Sequence, residues 1–131
     1  FIDDYAHHPV EIKALMDSVK MLYPDRRVTA IFQPHLYSRT RDLAEEFAHS
    51  FDQADQVILM NIYPAREEPI KGVSSSLIFD ALTTTEKKLC NKENLLDHLE
   101  HNRPEVLLTI GAGDIDQMVL PIKELLSREV A

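Results

Sequence analysis

Short runs of apolar, β-branched and aromatic residues alternate along this chain with segments whose apolar residues recur every three or four positions. The runs at 1–2, 27–33, 56–62, 87–90 and 105–110 are typical of strands, and the segments between them have the period of amphipathic helices. Strands that alternate with helices favour a parallel sheet covered on both faces. The sequence therefore predicts an α/β fold, a three-layer Rossmann-like domain with a mostly parallel sheet flanked by helices.

Proline and polar residues predict where the helices begin and bend. Pro9 suits the first turn of the first helix. Thr40 is a natural N-cap for the second helix, and Asp42 would then lie in its first turn, where a carboxylate suits the helix dipole. The last helix is predicted over 115–126, with Pro121 kinking it from within.

Length and composition limit the class of protein. The 131 residues match one domain, and an apolar content of 44% is that of a globular chain. A net charge of −8 argues against nucleic acid or an anionic membrane as the main partner, because both are bound through basic surfaces. The longest apolar runs, such as 57–60 and 106–110, are too short to span a bilayer.

The cellular compartment is predicted from the cysteine count and from the first residues. Cys90 is the single cysteine, so it cannot form an internal disulfide, and we expect it to be buried and inert. No basic and then apolar leader opens the chain. These features favour the cytoplasm. The first residue is Phe1 rather than Met, which indicates a piece of a longer protein whose leader could have been lost.

Most of the unusual polar residues lie in four loops that follow predicted strands. These loops cover residues 3–8, 34–40, 63–74 and 111–114. In sheets of this kind, ligands bind beyond the carboxyl ends of the strands. The coincidence of polar loops with that edge predicts a binding site there.

The first loop admits several chemical interpretations. Two carboxylates and two imidazoles lie within six residues, at Asp3, Asp4, His7 and His8. They could form a helix cap, an acid/base pair, a ribose-binding carboxylate or a metal site. The cap is favoured, and the metal is the weakest interpretation, since the spacing matches no standard zinc pattern.

The other three loops carry candidate anion-binding groups. Arg39 is placed to reach the crevice, where a guanidinium grips a carboxylate or a phosphate through two hydrogen bonds. Arg41 could instead be solvated or pair with Glu45, and the charges at Arg66 and Glu67 could belong to an ordinary solvated loop. The last loop could turn backbone N–H groups toward an anion, although a tight strand-to-helix turn explains its glycines better.

Two motifs are missing from the full sequence. No G-x-x-x-x-G-K-[ST] segment occurs, so the chain cannot cradle a triphosphate in a P-loop by itself. No G-x-S-x-G segment or cysteine–histidine pairing supports a hydrolase nucleophile.

Taken together, the four loops resemble the C-terminal domain of the Mur ligases. The resemblance is carried by DDYAHHPVEI at 3–12, FQPHLYSRT at 32–40, IYPARE at 62–67 and GAGDI at 111–115, and it covers essentially all of residues 1–131 in the right order. Any one motif could arise by chance, whereas the first two together are specific.

The resemblance implies an enzyme of three domains in peptidoglycan synthesis. The N-terminal domain would bind a UDP-sugar, and the central domain would carry the P-loop and the ligands of Mg2+. The domain formed by residues 1–131 would close over both. The implied reaction joins L-alanine to UDP-N-acetylmuramate: ATP phosphorylates the muramate carboxylate, and the amine attacks the acyl phosphate. The Mg2+ ligands are then expected outside this chain, and no metal is expected at Asp3, His7 or His8.

The resemblance also implies roles for single residues. Asp4 falls on the carboxylate that contacts the ATP ribose, and Tyr5 on a neighbouring cofactor-binding position. His7, His35 and Arg39 fall on substrate-binding positions, with Arg39 pairing with the alanine carboxylate. Some members have a second arginine where this chain has Leu36, so Arg41 and Arg66 are further candidates for binding the same carboxylate.

Three other functional hypotheses remain open from the sequence. The chain could belong to another Mur-type amino-acid or peptide ligase. It could be a stand-alone Rossmann-like module that binds a small molecule, or a metal-dependent hydrolase that uses the first loop.

Overall fold

The computed structural model describes residues 1–128, and these form five strands and five α-helices in alternation. The elements in chain order are β1 (Ile2–Asp4), α1 (Pro9–Leu22), β2 (Val28–Phe32), α2 (Tyr37–Ser50), β3 (Gln56–Met60), α3 (Ser76–Ala81), β4 (Glu86–Cys90), α4 (Lys92–His101), β5 (Val106–Ile110) and α5 (Val119–Ser127). A short 3₁₀ helix, Asp114–Met118, precedes α5.

The strands form one sheet in the order β1-β5-β2-β3-β4, and every pairing in it is parallel. The last strand is therefore inserted between the first and the second. The α/β prediction is confirmed, and the mostly parallel sheet proves parallel at all four of its strand pairings.

Two apolar cores cover the two faces of the sheet, because successive residues of a strand point to opposite sides. Ala30 and Phe32 pack with α1, α2 and α3 on one face, whereas Ile31 and Leu107 pack with α4 and α5 on the other. All five residues of β2 and of β5 are buried. The three-layer arrangement predicted from the sequence is confirmed.

The first predicted loop begins later than expected. Asp3 and Asp4 belong to β1, where they pair with Thr109 and Ile110. Two acidic residues are tolerated because β1 is an edge strand, and Asp3 accepts a hydrogen bond from the Thr109 hydroxyl at 2.7 Å. The third strand ends earlier than predicted: β3 stops at Met60 rather than at residue 62.

The second helix begins three residues before the position predicted for its N-cap. Its N-cap is Leu36, with a φ of 72°, and Thr40 is a buried helical residue whose hydroxyl donates to the Leu36 carbonyl. Asp42 consequently lies beyond the first turn. The helix is kinked at Leu43, which has a non-helical φ of −123° and ψ of 18°. The expected start at Thr40 therefore lies inside the first segment of the helix, three residues before the kink.

The predicted last helix is divided before Pro121 and is not kinked at it. The chain forms the 3₁₀ helix first and then α5, which places Pro121 in the first turn of α5. A proline costs little there, since the first N–H groups of a helix have no partner within it.

Two smaller expectations concern buried and membrane-spanning segments. Cys90 is buried, as predicted, and burial raises the pKa of its thiol. Among residues 1–128, none of the helices has both the length and the apolar character needed to cross a bilayer.

Candidate functional site

The carboxyl ends of four strands lie side by side and bring all four polar loops to one edge. Asp4 at the end of β1 pairs with Ile110 of β5, which pairs with Phe32 of β2, and Phe32 pairs with Leu59 of β3. The loops after these strands therefore start next to one another. We call this edge of the sheet the rim.

Four aromatic rings form a continuous row along the rim. The rings of Tyr5 and His7 lie edge to face at 5.4 Å, and His7 meets His35 in the same way at 6.0 Å. His35 stacks on Tyr63 at 5.8 Å, with an angle of 14° between the ring planes. Tyr5 is 71% exposed, so the row has a solvent-facing end. Such rings offer flat, partly apolar contact to a ligand or to a neighbouring domain.

Arg39 joins this row through His35. Its guanidinium Nη1 donates to His35 Nδ1 over 3.3 Å, one helical turn along the chain. Partial burial lowers the pKa of His35, and the neighbouring Arg39 lowers it further. The imidazole is therefore held neutral, and its Nδ1 accepts the hydrogen bond that fixes the guanidinium.

Asp4 reaches the rim from the other side of β5. Its Oδ1 accepts the backbone N–H of Ala6 at 2.8 Å, which orients the half-buried carboxylate. Oδ2 makes no hydrogen bond to any of the residues the structure describes. One oxygen therefore anchors the loop, and the other can accept hydrogen bonds from a ligand hydroxyl.

Of the residues singled out from the sequence, Tyr5, His7, His35 and Arg39 are in contact, and Asp4 lies on the same rim. Arg41 and Arg66 are exposed. Arg41 pairs with Asp42 at 2.8 Å rather than with Glu45, so of the two interpretations left open for it the exposed, solvated one agrees with the structure.

A carboxylate that sequence reasoning treated as solvated, Glu67, belongs to the rim. It accepts the backbone N–H of Ser38 at 3.1 Å and also the Ser38 hydroxyl. These hydrogen bonds, above all that of the hydroxyl, lower the pKa of Glu67. The signal was weak in the sequence, because the two residues lie 29 positions apart and only the fold brings them together.

A second group of hydrogen-bonded residues at the rim was not predicted from the sequence. Buried Gln33 donates to Asp114 at 2.6 Å and accepts the backbone N–H of Ile115 at 2.9 Å. Lys92 binds the other oxygen of Asp114 at 2.5 Å. Burial opposes the ionised form of Asp114, yet the hydrogen bonds from Lys92 and Gln33 bring its pKa below the usual range. Gln33, Lys92 and Asp114 line a cleft of about 180 Å³.

The glycine loop after β5 is a tight turn, as the sequence favoured. A Cβ on Gly113 would lie 2.6 Å from Gln33 Oε1 and 2.6 Å from Tyr63 Cβ. Gly111 has a φ of 153°, which strains other residues. The loop therefore serves close packing against the neighbouring strand ends.

The first loop and the first turn of α1 together contain the only group of three potential metal ligands found among residues 1–128. Ligand atoms of His7, His8 and Glu11 lie within 4.8 Å of one another. Two imidazoles with one carboxylate suit a transition metal, whereas Mg2+ prefers oxygen ligands. Glu11 also accepts the backbone N–H groups of His7 and His8 at the start of α1, which matches the favoured helix-cap interpretation. The group does not fit a magnesium site.

The parallel sheet with helices on both faces, and a polar rim at the carboxyl ends of its strands, define a doubly wound α/β domain, a class in which ligands bind at that rim. The sequence of residues 1–113 matches the family model for the Mur ligase, glutamate ligase domain. The chain belongs to the Mur ligase family.

Individual relatives agree with this assignment. The chain is 57% identical over 129 residues to the UDP-N-acetylmuramate--L-alanine ligase of Parabacteroides distasonis, covering 98% of this chain but 28% of that protein. A solved UDP-N-acetylmuramate-alanine ligase from Thermotoga maritima matches with a TM-score of 0.66 at 28% identity, covering 92% of this chain and 25% of the other.

A further solved structure bears on the fold alone. The murein peptide ligase from Psychrobacter arcticus has a TM-score of 0.74 at 20% identity, covering 97% of this chain and 27% of that one. The chain thus spans about a quarter of the length of the relatives it matches.

Proposed function

We propose that residues 1–131 are the C-terminal domain of an ATP-dependent, ADP-forming ligase that joins L-alanine to UDP-N-acetylmuramate in peptidoglycan precursor synthesis. The observation that carries this proposal is the guanidinium of Arg39, fixed by His35 beside a row of aromatic rings. A fixed cation on a rim of this kind suits the carboxylate of a small amino acid. The names of the relatives supply the particular substrates.

The reaction runs through an acyl phosphate. ATP phosphorylates the muramate carboxylate, the alanine amine attacks the acyl carbon, and the tetrahedral intermediate loses phosphate. This domain must hold the amino acid so that its nitrogen faces the acyl carbon, and it must keep water away from a hydrolysable intermediate. Arg39 would bind the carboxylate end of alanine, while His7 and His35 would line its pocket.

The nucleotide would meet the same rim at its other end. Asp4 keeps one carboxylate oxygen available for the ribose hydroxyls, and exposed Tyr5 lies next to it in the chain. Mg2+ supplies charge neutralisation at the phosphates, and its ligands belong to the central domain of the longer protein. Closure of the N-terminal and central domains onto this rim would complete the site in the cytoplasm.

Opposite effects of two substitutions test the proposal in the full-length ligase. We expect Arg39→Ala to raise the KM for L-alanine about 100-fold with little change in the KM for ATP, because a hydrogen-bonded ion pair is lost at one substrate only. Asp4→Ala should do the reverse. Arg26→Ala, on an exposed loop, serves as the control. Equal effects of both variants on both substrates would contradict the assigned roles.

A stand-alone binding module of the same fold is the second candidate. It is favoured by one observation, namely that residues 1–128 contain two complete cores of their own. Calorimetry on the isolated chain separates the two functions. Tight binding of ATP or of L-alanine supports the module, whereas binding only in the full-length protein supports the ligase half-site. Parallel titration of the full-length protein with other amino acids separates L-alanine ligation from that of another Mur-type ligase.

A further inference from the structure

The side chain at the N-cap of α2 makes no capping hydrogen bond. The first N–H groups of a helix have no partner within it and are usually bonded by a polar side chain at the N-cap. The N-cap here is Leu36, which has no polar side-chain atom and a φ of 72°. The helix start that carries Arg39 therefore depends on another part of the chain.

That part is the loop after β3. Tyr63 is bonded on both sides to the loop before α2: its N–H donates to the Pro34 carbonyl at 2.8 Å, and its carbonyl accepts the Leu36 N–H at 2.9 Å. Farther along the same loop, the half-buried carboxylate of Glu67 binds the backbone N–H and the hydroxyl of Ser38. A carboxylate at this position also complements the helix dipole.

Because α2 is kinked, the contact between Glu67 and Ser38 determines the position of Arg39. Since Leu43 is not helical, the segment before it is a short helix whose direction does not follow from the segment after it. Its direction depends on the contacts at its own start. Arg39 follows Ser38 directly, and the guanidinium is then aimed by His35.

We propose that Glu67 is a positioning residue for amino-acid binding, acting through Ser38 to hold the first turn of α2 and thereby Arg39. The inference rests on the proposed function, because it assumes that Arg39 binds the carboxylate of the amino acid. In this role Glu67 acts through its hydrogen bonds to Ser38 and not through contact with the amino acid. The long loop after β3 thus contributes to the amino-acid site through its carboxylate, with no need for the exposed Arg66.

The test uses the full-length ligase with Glu67→Gln, which keeps the size of the side chain and removes its charge. We expect the KM for L-alanine to rise about tenfold, with the KM for ATP within about twofold of the parent, since misplacement by a fraction of an ångström weakens one contact selectively. Glu67→Asp should recover part of the loss. Glu68→Gln, the exposed neighbour, should behave as the parent.

Amide hydrogen exchange at Ser38 supplies a readout that does not depend on activity. Glu67→Gln should speed exchange at Ser38 while leaving β2 protected. Ser38→Ala, which loses only the hydroxyl contact, should give a smaller rise in the same KM and serves if the first variant folds poorly. Unchanged exchange, or equal changes in both KM values, would overturn the inference. A parent enzyme that fails to ligate L-alanine would instead overturn the proposed function.

Discussion

At the residue scale, the candidate site depends on charge states that the environment sets. His35 is faced by the cation Arg39 on α2, by His7 on the first loop, and by Tyr63 and the anion Glu67 on the loop after β3. Burial and Arg39 outweigh the anion, so the pKa of His35 lies below its ordinary value of 6.5. A neutral imidazole can accept the hydrogen bond from Arg39, whereas a protonated one would repel it.

This charge state predicts a pH dependence for amino-acid binding. Because the pKa of His35 is lower in the folded protein than in the unfolded one, its contribution to stability is complete above pH 6.5 and is lost as the pH falls through the folded value. In the full-length ligase, kcat/KM for L-alanine should fall about tenfold per pH unit below that folded pKa.

A pH profile of kcat/KM for both substrates checks this prediction. His35→Gln should flatten the acid limb for L-alanine, since an amide oxygen can still accept from Arg39 and does not titrate in this range. His49→Gln, at the exposed far end of α2, is the matched control and should leave the limb in place. An acid limb that survives in His35→Gln would assign it to another group.

At the element scale, the shape of the rim depends on close packing between the turn after β5 and the loops after β2 and β3. The turn after β5 passes so close to Gln33 and Tyr63 that a Cβ at Gly113 has no room. Gln33 is buried and bonded to both Asp114 and Ile115, so it cannot move aside without losing those bonds.

We expect Gly113→Ala to destabilise the isolated chain by about 1–3 kcal/mol, the range for overpacking a closely fitted site. Denaturant unfolding measures this loss, and faster amide exchange at Ile115 should accompany it because the bond to Gln33 is displaced. Gly72→Ala is the control: its Cβ would meet nothing within 4 Å, although its φ of 80° adds strain. Exchange at Ile115 should stay slow in that variant, and equal acceleration in both would contradict a local clash.

At the scale of the whole molecule, the chain has two complete cores, and the proposed function assigns it one side of a site. The two apolar clusters bury all of β2 and β5, which supports folding without a partner. The full sequence nevertheless holds no P-loop for a triphosphate. Folding and activity should therefore separate in this chain.

We expect the isolated chain to unfold cooperatively in denaturant and to release no phosphate from ATP, with or without L-alanine. A phosphate-release assay beside the full-length ligase measures this difference. Activity should return only when the central domain is present, because in the proposed function the site closes between domains. ATP-dependent ligation by the isolated chain would contradict the half-site.

Much of the fold was predictable because the signals for it are local. Alternating runs identified all five strands, and Pro9 marked the start of α1 where the structure has it. The start of α2 was not predictable from Thr40, since its cap comes from Glu67 in another loop. The 3₁₀ helix before α5 was likewise not predicted, because the apolar residues from 115 to 126 recur with one helical period across both elements.

By itself, the sequence determined the α/β class and the rim on which its polar loops lie, because periodicity and parallel connection are properties of neighbouring residues. Only the tertiary structure decided that β5 lies between β1 and β2, which places the turn after β5 between Asp4 and the loops of Arg39 and Glu67 on the same rim. It also decided which charges are paired and which are solvated. Those choices depend on contacts between residues far apart in the chain, and packing, rather than local preference, selects them.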